Sequence, residues 1–451
     1  MKLIKADTYT LSALKSSAFS VMCKGLAFVL QLLIAYHFGA NVGTDIYFYL
    51  FNLAVLTAGM VQTVCTSILV PRAMELRSRN RCTDEMSLHN SFLYTVLLLL
   101  LASMVVFNLV AGHDAPSLLM NFRPEDTARH LTLYYLFFPF TLLLTLNLYL
   151  GEILISFKYF TLGLLCNFSM NLACVVAILL AGPGKGDVAL LMYAACTGCL
   201  LNGIVFLGLL KRRLHWQFKP VNLALLRREW KAIGGLLLNQ FITLLSNALP
   251  LYFMSQLHPG LVTVVVYAQK FTQMPLSIIT QIAAVLQVKL NNLYHRHLRA
   301  QMYATTFRVA LRLLAFAVCT SAAIFLLRDF IAETLYGLGK MPLDAVDRLS
   351  HLIGILSFAM PATAVCMAYT RVYFTERRIR LYVGIMSCAN LLACIAYYIA
   401  IDLWQENGFA AVSVGTEVLI LLAVLICLRR NKGNTRLYPS ASFSSSKEQQ
   451  P

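Results

Sequence analysis

About twelve times along its length the chain runs through some 20 predominantly apolar residues, the number an α-helix needs to cross a hydrocarbon core of roughly 30 Å. The approximate cores are 17–37, 45–70, 91–112, 130–154, 159–181, 188–210, 232–256, 262–288, 304–327, 350–373, 381–401 and 408–428. Long continuous runs of this kind exclude a β-barrel, whose strands read as short alternating segments. An all-α polytopic membrane protein is expected. The composition agrees: 59% of the 451 residues are hydrophobic and 13% charged, and the mean hydropathy is +0.69.

The formal net charge is +17, yet the cations follow the connections between spans. Alternate loops carry Arg72, Arg77, Arg79 and Arg81, then seven Lys and Arg residues between Lys211 and Lys231, then Lys289, Arg296 and Arg299, then Arg371, Arg377, Arg378 and Arg380. The intervening loops are nearly bare. This is the positive-inside pattern, and it places both termini in the cytoplasm. The basicity is therefore a topology signal, and no nucleic-acid partner is expected. No removable signal peptide is read at the N-terminus. The twelve cysteines form no metal-ligand pattern. Cys196 and Cys199 in CTGC read as small residues that let helices approach closely.

The longest basic connection, KRRLHWQFKPVNLALLRREWK (211–231), separates two sets of six spans. The expected organisation is an N-terminal six-helix lobe (1–212), a basic cytoplasmic linker (213–231), a C-terminal six-helix lobe (232–430) and a polar, serine-rich, disordered tail (431–451). Weak internal similarity supports parallel repeats: GTDIYFY (43–49) aligns with VTVVVYA (262–268), and NLAC (171–174) with NLLA (390–393), both at an offset of 219. Pro139, Pro250, Pro275 and Pro361 sit inside spans, where each removes a backbone hydrogen bond and can kink its helix into a hinge.

Among the cations, Lys24 and Lys270 stand well inside expected spans. A charge near the centre of a membrane helix costs roughly 2.5–3.5 kcal/mol, so a buried lysine marks a functional site. By helical rise their depths differ by less than about 10 Å, so one polyanionic headgroup could touch both. A second reading of Lys24 is that its stem carries the ammonium to the interface. Around Lys270, Gln269, Thr272 and Gln273 suggest the polar lining of a wet cavity, with Gln269 and Gln273 on one helix face. Glu417 lies mid-span in SVGTEVLILLA; it is either a protonatable coupling group or a neutral acid held in packing. Glu152 is expected at the interface. Asp45 opens the second span, where the helix dipole favours a carboxylate. Asn167, Asn171 and Asn390 are expected as interhelical hydrogen-bond partners. No nucleophile elbow, P-loop or metal-binding helix pattern appears in the sequence, so neither an enzyme nor a cofactor is expected.

Specific residues carry a resemblance. HFGANVGTDIYFYLFNL (37–53) followed by SILVPRAMELRSR (67–79) resembles the first two helices of the MurJ/MviN branch of the multidrug/oligosaccharidyl-lipid/polysaccharide (MOP) exporter superfamily, in which FGA, TDAFF and a helix-ending VP recur at this spacing. YAQKFTQMP (267–275) resembles the family's YADRLMEFP, and NFSMN (167–171) its fifth helix. The resemblance implies two six-helix lobes working by alternating access on polyprenyl-diphosphate-linked sugars. It aligns Lys24 with a first-helix arginine, Asp45 with the aspartate of TDAFF, and Lys270 with the arginine of ADRLMEFP. It also marks departures. Leu30 stands where a second first-helix arginine would be, the second-helix arginine falls near Thr57 and Ala58, and Gln269 and Gln273 replace acids.

The leading expectation is a flippase for an undecaprenyl-diphosphate-linked saccharide, either lipid II or a polysaccharide repeat unit as handled by Wzx-type proteins, in the bacterial inner membrane. The expected substrate-binding residues are Lys24, Lys270, Asp45, Gln269 and Gln273, and polysaccharide assembly proteins are candidate partners. Two alternatives are a cation-coupled multidrug exporter, which needs an acidic cavity, and a non-transporting scaffold, which gains nothing from buried lysines.

Overall fold

The structure is a computed structural model and describes residues 9–435 except 158, 160, 183–186, 219–221 and 377. The serine-rich end of the expected tail, 436–451, and parts of the basic linker thus lie outside the described residues, while helix continues to Thr435.

Every described membrane-length element is a helix. In chain order they are α1 (Tyr9–Phe38), α2 (Val42–Ser78, with a π turn at Cys65–Leu69), α3 (Cys82–Ala111), α4 (Leu131–Ser156), α5 (Leu165–Ala181) and α6 (Ala189–Arg213). The second half holds α7 (Leu223–Met254), α8 (Leu261–His295), α9 (Arg299–Tyr336) and α10 (Leu343–Thr375, interrupted at Phe358). The last segment, Ile379–Thr435, contains non-helical backbone at Gln405 (φ 51°, ψ −130°), which divides it into α11 and α12. In a straight helix residues 16 apart stand about 24 Å away from each other. Instead the Tyr397 hydroxyl meets Ser413 Oγ at 3.0 Å, and the Tyr397 and Phe409 rings stack. The chain therefore doubles back at Gln405, and twelve spans result. Gly408 closes this hairpin, since a Cβ there would lie 1.9 Å from the Ala400 carbonyl oxygen.

The two lobes share one core at one end of the bundle, while at the other end the start of α7 alone reaches across to the first lobe's core among the described residues. A single apolar core at the end remote from the basic loops unites residues of both lobes, among them Ile46, Phe48, Leu251, Val265 and Tyr336. At the basic end the core splits in two. One cluster belongs to the first lobe (Val64, Leu93, Ile153, Phe206) and the other to the second (Leu286, Leu313, Val372, Val424). Buried apolar area is the main cohesive term in packing, so the lobes are held shut at the far end and stand apart at the basic end.

The repeat offset of 219 reappears as geometry. Thr44 and Thr263 have their hydroxyls 3.1 Å apart, and Phe48 and Tyr267 pack edge to face with centroids 5.3 Å apart. Both pairs are separated by 219 positions. Equivalent residues touching each other is what a two-fold axis demands, so a pseudo-two-fold axis passes between the starts of α2 and α8.

The connection expected as a linker is docked rather than free. Trp216 Nε1 donates to Asn90 Oδ1 (2.9 Å), Asn90 Nδ2 donates to the Gln217 carbonyl (2.7 Å), and Leu226 and Ile233 of α7 join the first lobe's core. Further along α7 the partners change: Ser387 Oγ donates to Asn239 Oδ1 (2.6 Å) and Asn390 Nδ2 to Thr243 Oγ1 (3.3 Å). Asn390 is thus the interhelical partner it was expected to be. Pro139, Pro250 and Pro275 lie inside α4, α7 and α8. Pro361 does not: it sits in the first turn after the break at Phe358, where a missing N–H is tolerated. Two further cations lie on a span without standing deep in it. Arg308 and Arg312 fall within the expected ninth span, but α9 has 38 residues, about 57 Å, so its first turns extend beyond a 30 Å core.

In a background without the native cysteines, Thr44→Cys with Thr263→Cys should form a disulfide on mild oxidation. The readout is retention of the two lobes as one species after protease cleavage of the linker. Separation of the lobes under oxidising conditions would contradict the axis contact.

Candidate functional site

The gap between the lobes is a cavity of about 580 Å³ on the basic-end side of the far-end contact. Three helices supply its polar wall. From α1 come Lys24 and Gln31; from α5, Asn167 and Asn171; from α8, Lys270, Gln273, Ser277 and Gln281. The spacings explain the shared face: 167 and 171 are one turn apart, and 270, 273, 277 and 281 descend one side of α8. Aromatic residues of α2 (Tyr47, Phe48, Phe51), Met170, Met274, Met367 and aliphatic residues such as Leu30 and Ile34 are among the remainder.

Among the described residues, Lys24 and Lys270 are the charged members of this lining, and no carboxylate is in it. Neither lysine has an acidic partner within 4 Å among the described residues. The Lys270 ammonium instead lies 5.1 Å from the Phe48 ring centroid and 5.8 Å from that of Phe51. Ring faces attract a cation but do not neutralise it. Lys24 is exposed to the cavity. Two positive charges face one space with no internal counter-ion.

Gln273 lines the cavity, whereas Gln269, one turn earlier, is half-buried and off the lining. Asn167 and Asn171, expected to bond between helices, face the cavity instead, and their side chains form no hydrogen bond among the described residues. Their spacing was visible in the sequence; the neighbour they face was not. Gln31 and Gln281 are further lining residues that periodicity did not single out. Gln31 also donates to the Tyr336 hydroxyl of α9 (2.9 Å), tying the two lobes together. Glu417 lies away from the cavity, accepting from Thr363 Oγ1 (3.0 Å) between α12 and α10. Glu152, expected at the interface, is buried and accepts from Gln62 Nε2 (2.7 Å). The CTGC stretch is close helix packing: a Cβ at Gly198 would lie 2.8 Å from Met170 Cα, and all described cysteines are free.

Asp45, expected among the substrate ligands, lies outside the cavity and is 2% exposed. The two-fold axis explains its role. Asn41 caps α2 with a reciprocal capping box. Its equivalent at an offset of 219 is Gly260, the N-cap of α8, which has φ +86° and no side chain to offer. Asp45 supplies the missing cap from the opposite lobe. Its Oδ2 accepts from the Gly260 N–H (2.6 Å), and its Oδ1 accepts from the Thr263 N–H and hydroxyl (2.7 Å each). Other far-end ties accompany it: Asn121 Nδ2 donates to the Tyr252 carbonyl (2.8 Å) and Lys340 N–H to the Tyr36 carbonyl (3.2 Å).

A family model described as "Lipid II flippase MurJ" matches residues 34–445. The chain belongs to the MurJ family. A relative described as a probable lipid II flippase MurJ, from Buchnera aphidicola subsp. Acyrthosiphon pisum (strain APS), is 24% identical over 341 residues, 72% of this chain and 65% of that protein. The chain thus spans just under two thirds of that relative's length. Among solved structures, lipid II flippase MurJ in an inward closed conformation superposes with a TM-score of 0.78 at 16% identity, covering 92% of this chain and 87% of the other. An inward-facing multidrug resistance MATE transporter of the MOP superfamily gives 0.71 at 14% identity, covering 93% and 96%. At these identities the likenesses establish the fold: the MurJ-family chain has the two-lobed architecture of the MOP superfamily.

Hydrogen bonds to a charged acceptor contribute about 1.5–3 kcal/mol each. Asp45→Ala, which removes three such bonds, should shift the lobes toward far-end opening by roughly 2 kcal/mol or more, about thirtyfold in population. The check is labelling of a cysteine placed at Thr263 by a membrane-impermeant thiol reagent. It should rise in Asp45→Ala; unchanged labelling would show that the clasp does not hold the far end.

Proposed function

We propose that this MurJ-family chain is a flippase that carries an undecaprenyl-diphosphate-linked saccharide across the bacterial inner membrane by alternating access. The observation that supports this reading is the cavity with Lys24 and Lys270 on its wall and no carboxylate. Holding two ammonium groups there is costly by itself, and a diphosphate entering between them turns that cost into attraction. The saccharide occupies the polar remainder of the space, and the prenyl chain stays in lipid, leaving through the gap between the lobes.

The positive-inside asymmetry puts the basic end and both termini in the cytoplasm. The cavity then opens toward the cytoplasm, and the Asp45 clasp closes the periplasmic side. Substrate bound by lysines of both lobes favours lobe closure around it, so the alternate state is reached by releasing the clasp. A ligand shifts such an equilibrium only by its differential affinity for the two states. Lipid II and polysaccharide repeat units both present the diphosphate that the lysines are placed to hold, and polysaccharide assembly proteins are partners in the second case. A cationic drug would meet two lysines and no acid, which disfavours a multidrug exporter. Glu417 is assigned to coupling: it is the carboxylate set mid-span in the second lobe, bonded to Thr363.

Lys24→Ala and Lys270→Ala should each insert at normal abundance and bind a polyprenyl diphosphate at least tenfold more weakly. The double variant should lose less than the sum, because both cations hold one anion. Lys24→Arg should keep partial transport. Unchanged affinity in both single variants would remove the anion site. A reporter fused after Arg213 should read cytoplasmic and one at Arg123 periplasmic. Glu417→Gln keeps hydrogen bonding while abolishing titration, so it should flatten the dependence of transport on pH between 6 and 8 units if coupling runs through this carboxyl, and normal pH-dependent transport would exclude it.

A further inference from the structure

By the positive-inside reading the far end of the bundle faces the periplasm, where arginine is the exception. Arg328 and Arg348 are two such exceptions, and the second lobe brings them together. A cavity of about 210 Å³ between the end of α9, the start of α10 and the α11–α12 hairpin is lined by Arg328, Arg348 and His351 together with Asp329, Asp347 and Glu406.

The spans around this cavity set its depth. Their expected apolar cores end at 327, begin again at 350 and break between 401 and 408, so the charged lining residues fall at those limits, the level of lipid headgroups. An apolar surface adjoins them on the membrane side. The Arg328 guanidinium lies 4.9 Å from the Phe325 ring centroid, the Phe325 and Phe358 rings are 5.2 Å apart, and both rings are exposed. Arg328 is held in place by a glycine of α10: a Cβ at Gly354 would lie 3.1 Å from an Arg328 guanidinium nitrogen.

The charges are ordered by depth and incompletely paired. A neighbouring cavity shares Asp329 and Asp347 and continues outward to Glu333 and Asp344. Helical rise puts Glu333 about 7.5 Å farther out than Arg328, and Asp344 about 10 Å farther out than His351. Cations thus stand nearer the hydrocarbon and carboxylates nearer the water. Arg348 reaches Glu406 at 3.7 Å and Arg328 reaches Asp329 at 3.6 Å, both long for charge-assisted bonds. Asp347 has no side-chain partner among the described residues. Glu406 Oε2 is buried and has no hydrogen-bond partner among them, a costly state for a carboxylate oxygen and one that a donor in the cavity would relieve.

We propose that this pocket holds the headgroup of a phosphatidylethanolamine lipid of the outer leaflet. The phosphodiester, next to the acyl chains, is taken by Arg328 and Arg348. The ammonium, at the outer end of the headgroup, donates to Glu406 Oε2 and Asp347, and an acyl chain runs over Phe325 and Phe358. Three N–H donors on one cation suit carboxylates that lack them. Phosphatidylcholine carries methyl groups in place of those donors, and phosphatidylglycerol has no cation. The site lies outside the central cavity and does not depend on what that cavity carries.

The test is native mass spectrometry of the purified full-length protein in detergent, offered equal amounts of dioleoyl phosphatidylethanolamine, phosphatidylcholine and phosphatidylglycerol. The parent should retain phosphatidylethanolamine at least about tenfold over the other two, as expected for a hydrogen bond to a charged group. Glu406→Gln and Asp347→Asn should each cut that preference several-fold without changing retention of phosphatidylglycerol, whereas Arg328→Gln should weaken phosphatidylethanolamine and phosphatidylglycerol alike. Asp347→Asn leaves the Arg348–Glu406 pair in place, so its effect does not come from loosening the hairpin. Equal retention of the three lipids by the parent, or the parent's preference kept in both Glu406→Gln and Asp347→Asn, would overturn the proposal. Soluble phosphoethanolamine binding as tightly as the lipid would overturn it too, because the pocket would then be a solute site.

Discussion

One helix begins at a glycine that has no side chain to cap it, and an aspartate from the opposite lobe provides the cap. The bonds from Asp45 to Gly260 and Thr263 fasten the start of α8 to the start of α2 at the pseudo-two-fold axis. The pocket below depends on that fastening. With the lobes joined by a common core at the far end and divided into separate cores at the basic end, the space between them closes on one side and opens on the other. Beside the shared apolar core, the Asp45 bonds are a polar part of the tie, in which water can replace each partner when it opens. A purely apolar seal of the same area would have no such substitute.

The lysines then acquire their meaning from position. A single snorkelling lysine on a lipid-facing helix would be unremarkable in energy terms. Here Lys24 comes from the first lobe and Lys270 from the second, both face one cavity, and both lack a protein counter-ion. An anion held between them is attracted by both lobes at once, so binding and lobe movement share the same free energy. In the proposed flippase, Asp45 and the lysines would divide the work: the Asp45 bonds tie the far end, and the cations face the cavity that cargo would enter.

Much of this was legible in the sequence, for reasons that can be stated residue by residue. The bilayer imposes a length on every span, so the twelve helices could be counted from apolar runs, including the α11–α12 hairpin whose turn at Gln405 falls between the expected spans 381–401 and 408–428. Lys24 and Lys270 stood out because charge in lipid is costly. The offset of 219 was faint as sequence but becomes contact between Thr44 and Thr263. What could not be read were partners distant along the chain. Asp45 lies 215 positions from Gly260, and a carboxylate near a helix start looks the same whether it serves its own helix or another. Asn167 and Asn171 could be placed on one face by spacing, but whether that face meets a helix or a cavity is decided by lobe packing. Pro361 resembled a mid-helix kink until the break at Phe358 put it in a first turn.

The most direct test of the central claim is mass spectrometry of lipids that copurify with the protein from its native membrane, comparing the parent with Lys24→Ala/Lys270→Ala. An anion site built from the two lysines predicts polyprenyl-diphosphate-linked saccharides in the parent and their loss from the double variant at equal protein yield. The same diphosphate lipids retained by the double variant, or a parent that carries only ordinary phospholipids, would contradict it.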